Sequence, residues 1–265
     1  MNPVMLDLGL IQIKWYSFFI LIAMITGSIL FFLEARKKGL KNEDIENILF
    51  YGLLIGILGT RLYYVLFNLD YYFSNPLEIL MVWKGGLAIH GGIIGGLIVM
   101  IVYSKKKNLN LLMLLDIIVV GLILAQAIGR WGNFFNSEAF GRITSLEALK
   151  ELHIPMFVIK GMLIDDYYRE PTFYYESICS FVGFIILIIA RMKYKDLKVG
   201  QLSGTYLVFY GLVRVFIESL RTDSLMIGPI KIAQVISVIF IIVGGYLIQY
   251  NRKSKKTYHD LTIYK

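Results

Sequence analysis

Cysteine, proline, histidine and charge are all scarce here: 265 residues contain one Cys, five Pro and three His, and charged side chains make up 17% of the chain. Each scarcity removes a class of protein. A lone Cys179 closes no intramolecular disulfide, and its place in an apolar run favours packing over a nucleophilic role. No Cys and His cluster offers a zinc centre, and no paired-Asp array offers the Mg²⁺ site of a phosphatidyl transfer; Asp116 stands alone in its apolar surroundings. Neither a P-loop nor a Gly-x-Ser-x-Gly elbow occurs. The sequence therefore implies neither metal nor cofactor.

Apolar side chains are abundant instead. Hydrophobic residues reach 57% and the mean hydropathy is +0.65, too much apolar surface for one small aqueous core, so lipid must solvate much of it. A helix crosses roughly 30 Å of hydrocarbon with about 20 residues. Seven windows qualify: 14–32, 48–68, 85–103, 111–129, 172–190, 201–220 and 232–250. Basic residues fall after every second one: Arg36, Lys37, Lys38 and Lys41; Lys105 to Lys107; Arg191, Lys193, Lys195 and Lys198; and Arg252, Lys253, Lys255, Lys256 and Lys265 in the tail. With seven spans all lie on one side, the cytoplasm by the positive-inside rule, which puts the N-terminus outside. The net charge of +8 is thus explained by topology and anionic lipid, without nucleic acid. The first fifteen residues lack a basic region and a small-residue cleavage site, so the first span reads as a retained helix.

The expected fold is an all-α polytopic membrane protein, one integral domain over residues 1–265, with a small outer-side subdomain at 130–171 between the fourth and fifth spans. Alternation in MFVIKGMLI suggests short strands within that subdomain.

Ionisable groups at bilayer depth cost roughly 2.5–3.5 kcal/mol each on insertion scales, so they mark sites or pair helices. Four sets lie toward the outer half. GRWGNFFNSEAFG (residues 129–141) carries Arg130, Asn133, Asn136 and Glu138 between glycines that end with Gly141; its bland alternative is a helix-ending turn with a snorkelling arginine. GGLAIHGGIIGG holds His90 between glycines that leave room for a ligand or a second helix. In the sixth span Tyr210, Arg214, Glu218 and Arg221 share one face, and the two arginines exceed the one glutamate of that set, leaving a positive surplus for an anion. Alternatively, Glu218 simply pins helices together. Arg61, Glu176, and Tyr16 with Trp15 make up the fourth set, Trp15 reading as an interface-belt residue. A transporter or flippase for an anionic lipid or solute also fits arginines inside a bundle, although no inverted repeat is recognisable.

GRWGNFFNSEAFG resembles, at every fixed position, the signature Gly-Arg-x-Gly-Asn-Phe-φ-Asn-x-Glu-x-x-Gly of the prolipoprotein diacylglyceryl transferase family. The HGG run at His90, GTRLYYV at Arg61 and YGLVRVFIESLR occur in the family's order, so the resemblance covers nearly the whole chain. It implies a seven-span enzyme of the bacterial cytoplasmic (inner) membrane. Such an enzyme moves the diacylglyceryl group of phosphatidylglycerol to the lipobox cysteine in the signal peptide of a preprolipoprotein, forming a thioether and releasing glycerol phosphate. It further implies Arg130 and Arg214 at the head group, with His90, Tyr16, Asn133, Glu138, Gly141, Tyr210 and Glu218 around it. A neutral histidine suits removal of the thiol proton, and two arginines suit the departing phosphate; a carboxylate or bound water is an alternative base. One departure stands out: where the family usually has His-Pro-x-Gln-Leu-Tyr-Glu, this chain reads EPTFYYE, with Glu170 and Phe173 in place of the histidine and glutamine.

Overall fold

Within lipid every backbone polar group must be satisfied inside its own segment, and the apolar windows accordingly form helices. The computed structural model describes residues 3–9, 12–82, 85–222, 224–254 and 257–264. Lys255, Lys256 and Lys265 of the basic tail lie outside them.

Ten α-helices and six short strands are described: β1 Val4–Asp7, β2 Gln12–Lys14, α1 Trp15–Lys37, α2 Asn42–Leu66, α3 Leu69–Ser74, a 3-10 turn Pro76–Leu80, α4 Ile89–Lys106, α5 Leu111–Phe135, α6 Leu146–Glu151, α7 Met156–Gly161, β3 Leu163–Ile164, β4 Tyr167–Tyr168, α8 Thr172–Lys193, α9 Gln201–Leu220, β5 Met226–Ile227, β6 Ile230–Lys231 and α10 Ile232–Asn251. The strands pair as three antiparallel hairpins. Among the described residues six helices, α1, α2, α4, α5, α8 and α10, are long and apolar enough to cross a membrane. Helix α9 has the length, but Arg214, Glu218 and its polar first turns keep it out of that group.

The chain divides into two compact units, residues 1–31 with 115–260 and residues 32–114 with 261–265. In the larger unit small residues bring helix backbones together. A Cβ on Gly132 of α5 would lie 3.0 Å from the Tyr16 ring of α1, one on Gly204 of α9 would lie 2.8 Å from the Gly244 carbonyl of α10, and one on Gly211 would lie 2.7 Å from that of Ser237. Helix α9 starts at Gly200, which has no side chain to cap it. Asp116 of α5 does so from across the unit: fully buried, it accepts from Gly200 N (2.5 Å), Ser203 N (2.8 Å) and Ser203 Oγ (2.6 Å).

The segment after α5 holds the expected short strands only in part. MFVIKG is helix α7, and only Leu163–Ile164 with Tyr167–Tyr168 form a hairpin, its two-residue turn made by Asp165 and Asp166 at φ 51° and 65°. The reason is tertiary: Leu149, Ile154, Val158, Ile159 and Met162 bury against Phe134 of α5 and Phe173 of α8, which wraps this segment as short helices over the helix ends. Residues 130–135, expected within the subdomain, are the last turns of α5.

In the smaller unit α2 and α4 pack through glycines, a Cβ on Gly95 meeting the Ile55 carbonyl at 2.7 Å. At its basic end Asp44 receives Tyr103 Oη at 2.7 Å, Tyr264 Oη at 3.3 Å and Lys107 Nζ at 2.9 Å, which holds the Lys107 ammonium above the usual lysine range. The tail is tied there as well, Ile263 N donating to Lys38 O and Asn110 N to Ile263 O.

Candidate functional site

Helices α5, α8 and α9 of the larger unit each bring one or two ionisable side chains to a common point. Glu176, 2% exposed, takes Arg130 Nη2 of α5 on one carboxylate oxygen at 2.5 Å and Arg214 Nη1 of α9 on the other at 2.8 Å. Arg214 Nη2 also lies 2.7 Å from Glu218 Oε2, an ion pair one turn along α9 whose angles depart from a hydrogen bond. The result is an alternating lattice, Arg130, Glu176, Arg214, Glu218, with no net charge. Of the two arginines counted in the sixth-span set only Arg214 is placed in this lattice; with Arg130 from α5 and Glu176 from α8, two arginines face two carboxylates. Both arginines stay partly accessible, at 21% and 14%, and each retains N–H donors beyond those spent on carboxylates.

The lattice continues on either side. Tyr210, one turn before Arg214, stands within the field of Arg130 and stacks on Tyr206, whose hydroxyl accepts from Gln126 Nε2 at 2.9 Å. Tyr16 of α1 stands within the fields of Arg130 and Glu138. Arg130 Nη1 reaches Asn133 Oδ1 at 3.5 Å, and Asn133 and Asn136 each donate to one oxygen of Glu138 at 3.4 Å. Glu138 is presented by an unusual turn: both its neighbours, Ser137 and Ala139, are left-handed, at φ 53° and 56°. Such geometry costs about 1 kcal/mol or more per residue and persists only where surroundings impose it. Here Thr172 Oγ1 binds the Ala139 carbonyl at 2.5 Å and Glu138 N binds the Asn133 carbonyl at 3.0 Å.

Gly141 serves close packing. A Cβ there would lie 2.9 Å from Glu170 Cβ and 3.0 Å from Thr172 Cγ2, and its N–H donates to the Glu170 carbonyl at 2.8 Å. Gly141 also bridges Arg221 through backbone, and Lys231 Nζ binds the carbonyls of Glu218 and Arg221 at 2.6 and 2.9 Å, closing the end of α9. Trp15 stacks on Phe135 with centroids 4.8 Å apart. Cys179 is half-buried and free.

Arg61 and His90 belong to the smaller unit. Arg61 is 6% exposed and its guanidinium is occupied by main chain: Nε binds Ile79 O at 2.9 Å, Nη1 binds Gly85 O at 2.7 Å and Gly86 O at 3.0 Å, and Nη2 binds Glu78 O. His90 is exposed near the start of α4, its ring stacked on Tyr63 at 5.7 Å. Among the described residues no group of three His, Cys, Asp or Glu side chains gathers where it could hold a metal ion.

Sequence reasoning missed Asp116 as the cap of α9, Thr172 as the support of the Glu138 turn and Lys231 as the closing donor. Only the first had a signal: a lone acid in an apolar run must find buried donors.

Comparison with known proteins gives one answer along nearly the whole chain. The family model described as prolipoprotein diacylglyceryl transferase matches residues 3–250. The phosphatidylglycerol–prolipoprotein diacylglyceryl transferase of Ligilactobacillus salivarius (strain UCC118) is 44% identical over 251 residues, spanning 95% of this chain and 93% of its own. The proteins of that name from Staphylococcus haemolyticus (strain JCSC1435) and Staphylococcus aureus (strain Newman) are each 44% identical, spanning 95% of this chain and 88% and 89% of theirs.

Proposed function

The chain belongs to the prolipoprotein diacylglyceryl transferase family, and from that membership we propose its reaction: it transfers the diacylglyceryl group of phosphatidylglycerol to a prolipoprotein. The family name favours this over a transporter, which would form no covalent product. In this reading the acceptor is the lipobox cysteine thiol of the signal peptide. The thiolate sulfur attacks the glycerol carbon bearing the phosphodiester; a C–S bond forms, the C–O bond to phosphate breaks, and its electron pair leaves with glycerol phosphate.

The observation that carries the site assignment is the pair of arginines fixed on opposite oxygens of one buried carboxylate. Arg130 and Arg214 are assigned to the phosphate. Because the lattice is neutral, they act there as donors held in place, a form of stabilisation that needs no reorganisation as charge develops on the leaving group. Tyr210, Tyr16, Asn133, Asn136 and Glu138 border the lattice and are assigned to the head group and thiol-bearing segment, with Gly141 and Arg221 framing them. His90 is assigned to the thiol proton, since a thiol of reference pKa near 8.5 is a weak nucleophile until deprotonated.

Helix α9 is assigned as a seventh span. Its Arg214 is paired with Glu218 of the same helix and with Glu176 of α8, which lowers the cost of keeping these charges at bilayer depth. Seven crossings also place the basic segments after α1, α4, α8 and α10 together on the cytoplasmic side of the cell membrane, with the N-terminus outside.

Purified protein incubated with labelled phosphatidylglycerol and a lipobox peptide should yield a thioether-linked lipopeptide, and His90→Gln should abolish it without affecting membrane insertion. Transfer of label without a covalent product would favour transport; near-normal turnover of His90→Gln would remove the histidine as base.

A further inference from the structure

Arg61 is an arginine whose guanidinium is largely held by main-chain carbonyls. Four of its five N–H groups go to carbonyls, two from the 3-10 turn (Glu78 and Ile79) and two from consecutive glycines (Gly85 and Gly86). Its flat face lies on Tyr72, 5.2 Å from the ring centroid. The glycines it grips are in left-handed conformation, φ 87° and 69°, and the space is already filled: a Cβ on Gly86 would lie 2.7 Å from Arg61 Nη1 and 2.7 Å from the Tyr64 ring.

Helix α4 begins just beyond this turn, with His90 in its first helical turn. The same stretch of α2 holds that entry in two further places. Ala88 N donates to Thr60 O at 3.0 Å, and the Tyr63 ring stacks on the His90 ring. Residues 60, 61 and 63 of one helix thus fix the chain from Gly85 to His90. Arg61 itself lines, with Tyr64, Asn68, Tyr72, Gly85 and Gly86 among others, a cavity of about 510 Å³. An empty volume beside the turn leaves the segment room to shift once the clamp is lost, whereas a filled core would hold it in place.

We propose that Arg61 is a positioning residue of the transfer reaction: it holds the Gly85–Gly86 turn and thereby sets where His90 stands at the start of α4, without contacting the phosphate. This rests on His90 being the proton acceptor. A lysine cannot replace it, because three donors on one nitrogen do not reach four carbonyls spread over two segments.

The test separates positioning from lipid binding and from folding. Arg61→Lys and Gly86→Ala disturb the same turn from opposite sides, only the first altering the charged side chain. Both are purified, checked by thermal unfolding and assayed with phosphatidylglycerol and a lipobox peptide. Misplacement of a reacting group by about 1 Å costs on the order of 100-fold in rate, so kcat should fall by about that factor in both, with KM for phosphatidylglycerol within about twofold. Affinity for phosphatidylglycerol, measured in the His90→Gln background, should be unchanged by adding Arg61→Lys. Weakened binding there makes Arg61 a lipid ligand and overturns the proposal. So does normal turnover of Arg61→Lys, or variants that fail to fold, which would assign the clamp to assembly of the unit. An active His90→Gln removes the reading beneath the proposal, whereas an inactive His90→Gln beside a fully active Arg61→Lys removes the proposal alone.

Discussion

At Glu176 two guanidinium groups share one carboxylate that is almost out of contact with solvent. Removing one member of such a buried set leaves an uncompensated charge, which is more costly than never having had the set at all. Glu176→Gln keeps the shape, turns one acceptor into an NH₂ donor facing an arginine, and leaves the lattice with one positive charge in excess. The expected loss of stability is about 3 kcal/mol, read as a lowered unfolding midpoint in detergent; because the surplus is positive, phosphatidylglycerol should restore more of it than a zwitterionic lipid. An unchanged midpoint would mean that the lattice contributes nothing to holding α5, α8 and α9 together. From the sequence, Arg130, Glu176 and Arg214 were legible one at a time, as ionisable groups in apolar runs. Their pairing was not, since charge counted along one helix says nothing of a carboxylate delivered by another. The EPTFYYE departure is also a matter of single residues. Phe173 is fully buried and stacks on Phe134 at 4.9 Å, so an apolar core residue stands where the family usually has glutamine. Glu170 packs its side chain against Gly141.

Helix α9 shows how an element is set in place by a group outside it. Its first N–H groups have no local cap and depend on Asp116 of α5. Asp116→Ala would strand two backbone donors and the Ser203 hydroxyl in a buried position, each costing about 1–3 kcal/mol when unpaired. Amide exchange at residues 200–204 should accelerate well before exchange in α8, and transfer activity should fall with it because α9 carries Tyr210, Arg214 and Glu218. If exchange there stays as slow as in the parent, the cap is not what anchors this helix. At the same scale hydropathy located every long helix, with ends displaced by a few residues, because lipid leaves a 20-residue apolar run no other structure. It failed for Met156–Gly161, where six residues fit either period and burial of Val158 and Ile159 against aromatic side chains from α5 and α8 decided for helix.

For the whole molecule the open quantity is the number of crossings, and α9 alone decides it. Among the described residues six helices are long and apolar enough to cross; α9 falls short of them because Arg214 and Glu218, both assigned to the proposed site, and its polar first turns lower its hydropathy. The two counts differ in a way that labelling can read. With seven crossings Lys150, between α5 and α8, and Lys253, after α10, lie on opposite sides of the membrane; with six they share a side. The only native thiol is Cys179, so Cys179→Ser gives a background in which Lys150→Cys and Lys253→Cys can be labelled separately. An impermeant maleimide should modify position 150 in intact cells and position 253 only after permeabilisation. Equal labelling of both in intact cells would confine α9 to one face, and Arg214 would then reach Glu176 from the interface without passing through the bilayer.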